Sequence, residues 1–337
     1  MSLRTLAVAL GASAVLFLSA CGGAATPGAS TPATSSAESE APAADKVWEI
    51  GIVNLLSHPA LDAAQQGFID GLADAGYKDG EKVNLELQNA QNDQATLTAI
   101  ANQLTDKDLV FAIATPSGQA VAQVITDKPI LFAAVTDPVA AELVASWEAP
   151  GGNITGASDL NPVEDQLKLI LEIDASVKTV GIVYSSGEVN AEVQVEAAEK
   201  AAAGLGLTIM KAAVTNSSEV QQAAQSLDVD AYYIPTDNTV VSGIEGLIQV
   251  AEQNQAVVVA SDEGSVERGA IASQSVNYDQ QGRDAAAMAV QIFEGADPAT
   301  MPVKLQDTFD LTVNPEAAKR MGATIPEDMA ARAVKTF

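Results

Sequence analysis

With a single cysteine, Cys21, this chain of 337 residues can form no internal disulfide. It also has a single histidine, His58. Zinc sites ordinarily draw several His or Cys ligands, and neither an HExxH nor a CxxC spacing occurs. A Ser-His-Asp triad would have only His58 to use, and no GxSxG elbow is present. The chain is therefore expected not to be an enzyme and to need no metal or other cofactor. Basic residues are scarce too: 17 Lys and Arg stand against 44 Asp and Glu, a formal net charge of −27. Such a surface repels nucleic acid and anionic lipid and favours solubility. Two domains of ordinary size is the expectation for this length.

The first segment reads as an export signal. Arg4 is the only charge of a short leading region, and an apolar stretch runs from Leu6 to Phe17, too short for a transmembrane helix. It ends in Leu18-Ser19-Ala20-Cys21, which resembles a bacterial lipobox. Small residues at 19 and 20 suit a peptidase site, and the Cys21 thiol is the expected point of attachment of a diacylglyceryl group. After cleavage behind residue 20, the new amine would take a further acyl chain such as palmitate. Two or more acyl chains anchor a protein stably to the bacterial cell membrane. Residues 21–46 are mostly Gly, Ala, Ser, Thr, Pro and Glu, with no large apolar side chain between Gly22 and Asp45. That composition cannot offset its own ordering entropy, so a flexible tether is expected.

From Val47 the pattern changes to short β-rich runs alternating with amphipathic stretches, the signature of βαβ units and parallel sheets. The order is written twice. Strands are expected at 48–53, 83–88, 109–114 and 130–135, with helices at 59–75 and 94–104. Strands at 180–184, 207–212, 231–235 and 257–260 answer them, with helices at 191–203 and 218–227. Gly76, Gly204 and Gly206 punctuate helix ends. The fold class is α/β: two doubly wound parallel-sheet lobes joined by a hinge of several crossovers. Lobe 1 is expected to hold 47–156 plus about 275–304, and lobe 2 to hold 157–274 plus about 305–337.

Strand ends also correspond. Ala114-Thr115-Pro116-Ser117 matches Pro235-Thr236-Asp237-Asn238, and Val135-Thr136-Asp137-Pro138 matches Ala260-Ser261-Asp262-Glu263. Each such residue taken singly is readily a helix N-cap. Four such loops in two parallel copies point to a site, because open α/β sheets bind ligands beyond the carboxyl ends of their strands. Ser57 and His58 stand before Pro59 at a helix start. For His58 two readings stand side by side, a ligand contact and a locally held loop residue. Tyr184, ending its strand, is the expected aromatic wall, and Asn190 either reaches the cleft or caps its helix.

The runs His58-Pro59-Ala60-Leu61-Asp62, Ala112-Ile113-Ala114-Thr115-Pro116, Phe132-Ala133-Ala134-Val135-Thr136-Asp137-Pro138, Pro150-Gly151-Gly152-Asn153-Ile154-Thr155-Gly156 and Ser261-Asp262-Glu263 occur in order. In these the chain resembles the ABC-transporter substrate-binding lipoproteins that include tryptophan- and tyrosine-binding members, from about Ile50 to Pro326. The resemblance implies a type I periplasmic-binding-protein fold whose lobes close on a small molecule, with permease and ATPase subunits as partners; a monomer is the expectation. It implies that Thr115 and Ser117 hold an α-carboxylate, with Thr136 in a second such loop, and that Asp262 binds an α-ammonium. Asp237 is an alternative acid, and Asp137 is read chiefly as a cap. A sensor subunit, or a binder of a sugar or nucleoside, is the alternative reading. Aromatics make up only 4% of the chain, and Trp48 and Trp147 stand at no strand's carboxyl end, which weakens the sugar reading.

Overall fold

The structure, a computed structural model, describes residues 46–337. The export signal at 1–20, the anchor Cys21 and the tether up to residue 45 lie outside the described residues. Among the described residues no helix is long and apolar enough to cross a membrane.

The first half builds β1 (Trp48–Asn54), α1 (Pro59–Asp74), β2 (Val83–Asn89), α2 (Gln94–Gln103), β3 (Leu109–Ile113), α3 (Thr115–Ala122), β4 (Ile130–Val135) and β5 (Ile154–Ser158). The second builds α4 (Val163–Ile173), β6 (Thr179–Ser185), α5 (Val189–Leu205), β7 (Thr208–Val214), α6 (Val220–Gln225), β8 (Ala231–Ile234), α7 (Asn238–Ser242), α8 (Ile244–Asn254), β9 (Val257–Ala260), α9 (Glu263–Glu267) and β10 (Ala272–Ser275). Then come α10 (Tyr278–Phe293), β11 (Asp310–Val313), α11 (Pro315–Arg320), α12 (Glu327–Arg332) and β12 (Lys335–Thr336).

Two sheets result. One has the order β2-β1-β3-β4-β5, parallel throughout. The other runs β12-β11-β10-β9-β8-β6-β7, parallel except where β11 pairs antiparallel with β10. The segment β7-β6-β8-β9-β10 repeats the first sheet's order strand for strand. Strand order reverses between β1 and β3, and between β6 and β8. Beyond the carboxyl ends at such switch points an open α/β sheet leaves a crevice.

The chain goes between lobes three times. The first core draws on Ile50 through Ile154 and again on Val276 through Val303, whereas the second draws on Val163 through Ala272 and again on Leu311 through Met329. Thus α10, reached from a lobe 2 strand, packs on lobe 1. Its fit against α1 depends on missing side chains. A Cβ on Gly67 would come within 2.1 Å of the Asp279 carbonyl oxygen, and one on Gly282 within 2.1 Å of that of Ala64. The two backbones are in contact, and α10 is fixed beneath the ends of β4 and β5.

Local signals account for the boundaries. Pro59 opens α1, where its missing N–H costs nothing. Gly76 closes it at φ +85°: its N–H reaches Ala73 O at 3.0 Å and that of Tyr77 reaches Leu72 O at 2.8 Å, the paired bonds of a Schellman turn. Gly206, at φ +71°, ends α5 in the same left-handed conformation. In the core of lobe 1, Phe68 of α1 stacks on Phe111 of β3 with ring centroids 4.0 Å apart.

Candidate functional site

Facing strand ends of the two lobes enclose a small cavity of about 20 Å³. Lobe 1 supplies His58, Ala60 and Leu61 from the start of α1, Ala134 and Thr136 from the end of β4, Asp159 after β5, and Tyr278 at the start of α10. Lobe 2 supplies Asn190 from α5, Thr236, Asp237, Asn238 and Val241 from the β8–α7 turn and helix, and Asp262 after β9. No Lys or Arg is among these residues.

The lobes meet through a directed chain of hydrogen bonds. Thr136 Oγ1 donates to Asp159 Oδ1 at 2.9 Å, so the bond between Thr236 Oγ1 and Thr136 Oγ1, 3.1 Å long, takes its proton from Thr236. Thr236 Oγ1 in turn accepts from Gln194 Nε2. Gln194 Oε1 accepts from the Thr236 N–H at 3.0 Å and shares the single Tyr233 O–H, 3.1 Å away, with Gln166 Oε1 at 2.7 Å. The donors therefore run from the core of lobe 2 to a carboxylate on lobe 1. Tyr278 OH completes that carboxylate's set, donating to Asp159 Oδ2 at 3.0 Å.

Asp159 is only 3% exposed, and its partners among the described residues are neutral. Burial pushes its pKa from 3.8 up to about 6, against the opposing effect of the Thr136 and Tyr278 hydroxyls. Burial raises Asp237 well above the ordinary carboxylate range, and the nearby Glu188 adds to the effect. Burial lowers the pKa of His58, opposed by Asp262, Asn238 and Asp62. Glu188 is also buried; it accepts from Asn190 Nδ2, Asn238 Nδ2, Thr239 Oγ1 and the Asn238 and Thr239 N–H groups at 2.7–3.1 Å. It thus fixes two amide side chains of the cavity wall. Asn190 Nδ2 also donates to Thr236 O at 2.7 Å, yet Asn190 Oδ1 is buried with no partner. An unmatched buried acceptor costs about 1–3 kcal/mol, and here it lies in the wall of a cavity rich in acids.

Two strained residues lie at the same edge. Ala114 and Ala134 lie at φ +81° and +55°, a region unfavourable to residues with a Cβ. At Ala134 the cause is visible: β4 loses register with β5 between Phe132 and Val135. Gln281 of α10 fills the gap, accepting from the Ala134 N–H at 3.0 Å and donating to Ser158 O at 3.1 Å.

Six residues expected from the sequence line the cavity: His58, Thr136, Asn190, Thr236, Asp237 and Asp262. Two of them also cap helices. Asp237 Oδ1 accepts from the Val240 N–H at 2.8 Å, and Asp262 Oδ1 from that of Ser265 at 2.9 Å. Five expected residues lie away from the lining. Ser57 is exposed and donates to Asp62 Oδ2 at 2.6 Å. Asp137 closes the turn after β4, accepting from the Val139 and Ala140 N–H groups at 2.9 and 3.0 Å. Tyr184 is turned by the strand pleat onto a sheet face, in register with Ala213 of β7. Thr115 and Ser117 are buried at the start of α3, their hydroxyls without partners. Neither tryptophan lines the cavity: Trp48 stacks on Phe293 at 4.4 Å, and Trp147 packs on the first core. Asp159, Tyr278, Asn238 and the supporting Glu188 were not anticipated. The rule that finds small polar residues at strand ends applies equally to Ser158-Asp159 after β5, and would have found that acid.

A cleft between two lobes of matching topology, walled by fixed polar groups, defines a protein that encloses a small molecule. Residues 49–337 match the family model described as ABC transporter substrate binding protein. The chain belongs to that family, one of extracytoplasmic binding proteins rather than enzymes. It is 38% identical over 280 residues to a tyrosine-binding protein of Clostridioides difficile, covering 82% of this chain and 81% of the relative. A Streptococcus pneumoniae ABC domain solved in complex with L-Trp superposes with a TM-score of 0.84 at 36% identity, covering 87% of this chain and all of that one. The ligand-free, open structure of a substrate-binding protein with adhesive properties from Clostridium difficile gives 0.67 at 41% identity, covering 86% and 100%.

The buried acid has a measurable consequence. Because the folded state holds the Asp159 proton more tightly than the unfolded chain does, this group's contribution to stability is full below about pH 4 and is lost as pH rises through about 6. Replacing Asp159 by Asn is expected to remove that loss, raising stability at pH 7.5 by about 3 kcal/mol at 1.36 kcal/mol per pKa unit. Urea unfolding of both proteins at pH 4 and pH 7.5 measures the difference; an equal gap at the two pH values contradicts it.

Proposed function

We propose that this chain captures an aromatic amino acid between its lobes and delivers it to the permease and ATPase of an ABC importer, acting as a monomer held to the outer face of the membrane by lipid on Cys21. The observation that carries the ligand reading is the polarity of the cavity. It offers Asp159, Asp237 and Asp262 as carboxyl groups and Asn190 Oδ1 as an unmatched acceptor, with no Lys or Arg in the lining. Such a wall receives a cation with several N–H donors, and an α-ammonium group is one. Asp159 is the main counter-charge in this reading, because Thr136 and Tyr278 orient both its oxygens and no cation among the described residues neutralises it.

The carboxylate end is assigned to the α3 N-terminus, where backbone N–H groups and the helix dipole favour an anion. Thr115 Oγ1 and Ser117 Oγ stand there buried and without partners. Reaching them requires the lobes to part slightly, as a cleft joined by three crossovers allows. Apolar cover for the side chain comes from Ala60, Leu61 and Val241. The names of the C. difficile and S. pneumoniae relatives, tyrosine-binding and L-Trp-bound, agree with an aromatic side chain.

A thermal-shift screen of the full chain tests the ligand. Tyrosine or tryptophan at a hundred times its dissociation constant is expected to stabilise the fold by about 2.7 kcal/mol. Sugars and nucleosides are expected to give no shift; a shift with one of them alone would overturn the assignment. The anchor is tested separately. Cys21→Ser is expected to move the protein from the membrane to the soluble fraction of cells expressing it, and unchanged retention would end the lipoprotein reading.

A further inference from the structure

His58 Nδ1 is buried in the cavity wall and has no hydrogen-bond partner. The residue occupies the N-cap position of α1 in extended conformation, φ −154° and ψ 162°, yet its side chain makes no capping bond. The helix thus gains nothing polar from the imidazole, whose polar neighbour is Asn238, and Nδ1 is left for another use. It stands beside Ala60 and Leu61 in the apolar part of the wall, with Asn238 and Asp262 facing it from lobe 2. Burial favours the neutral ring, which has one donor and one acceptor nitrogen. Burial keeps water from Nδ1, a cost that a ligand atom of the right kind removes.

Taking the aromatic amino-acid reading as given, we propose that His58 reads the ligand's ring: its Nδ1 accepts a hydrogen bond from a ring-borne donor, a phenol O–H or an indole N–H. The site then selects tyrosine- or tryptophan-type side chains against phenylalanine. Shape alone discriminates poorly between phenylalanine and tyrosine. A buried polar atom left unmatched discriminates strongly, because the analogue that lacks the donor leaves the site's acceptor bare. The rest of the wall supports the assignment. Asp159 and Asn190 Oδ1 serve the ammonium, and Ala60, Leu61 and Val241 carry no polar side-chain group. Next to Ala60 and Leu61, His58 is the lining residue that carries an unsatisfied polar atom.

The test is the ratio of affinities, read by titration calorimetry of the full chain with tyrosine, tryptophan and phenylalanine. The wild-type protein is expected to bind tyrosine or tryptophan at least about tenfold more tightly than phenylalanine. In His58→Leu the ratio is expected to fall to about one, whereas His58→Gln, which keeps a hydrogen-bonding group, retains a preference. Because His58 makes no capping bond, neither variant removes a helix cap. Equal binding of phenylalanine and tyrosine by the wild type, or an unchanged ratio in His58→Leu, overturns the assignment and leaves the aromatic reading standing. Binding of none of the three overturns both.

Discussion

Much of the cleft is arranged around a carboxylate that has been taken out of water with no counter-ion among the described residues. Asp159 is nearly inaccessible, and its two oxygens are met by Thr136 and Tyr278, neutral donors from β4 and α10. Burying an ionised group without a charge partner is costly, and the rise of its pKa to about 6 expresses that cost. Several otherwise separate features serve it. The glycine contacts of α1 and α10 bring Tyr278 to the site, and the irregularity in β4, filled by Gln281, places Thr136 there. The Thr236–Thr136 bond then ties the acid to lobe 2. An arriving ammonium group would supply the missing charge, so the energy stored in the unliganded cleft favours binding.

The second lobe meets the first with buried acids of its own. Glu188 accepts five hydrogen bonds and so orients Asn190 and Asn238, while Asp237 and Asp262 use oxygens to hold the first turns of α7 and α9. The choice between cap and ligand contact, posed for each strand-end residue, is therefore not exclusive. A residue that caps a helix is held rigidly, and rigidity at a strand's carboxyl edge is what a binding wall needs.

Much of the fold could be read before any coordinates, because hydrophobic period and punctuation survive in single segments. The repeated strand runs beginning at Trp48 and Val180 and the stops at Gly76 and Gly206 stand where the pattern puts them. The site was readable where it follows from strand ends, as at Thr136, Thr236, Asp237 and Asp262. The same rule reaches Asp159, which follows β5 directly, but Tyr278 was unreadable: it opens α10 after a crossover, and only the tertiary path of that helix brings its hydroxyl to 3.0 Å from Asp159. Tyr184 shows the opposite limit. Ending a strand does not fix which face a side chain takes, and the pleat turned it away from the cavity.

The central claim is that the acids of the cleft receive a ligand's ammonium group. The most direct test compares tyrosine with two analogues by calorimetry at pH 7.5: 3-(4-hydroxyphenyl)propionate, which lacks the amine, and tyramine, which lacks the carboxylate. Losing the amine is expected to weaken binding by about a hundredfold or more, since Asp159 is then left buried and uncompensated, and by more than losing the carboxylate does. Binding of the propionate as tightly as tyrosine would contradict the account.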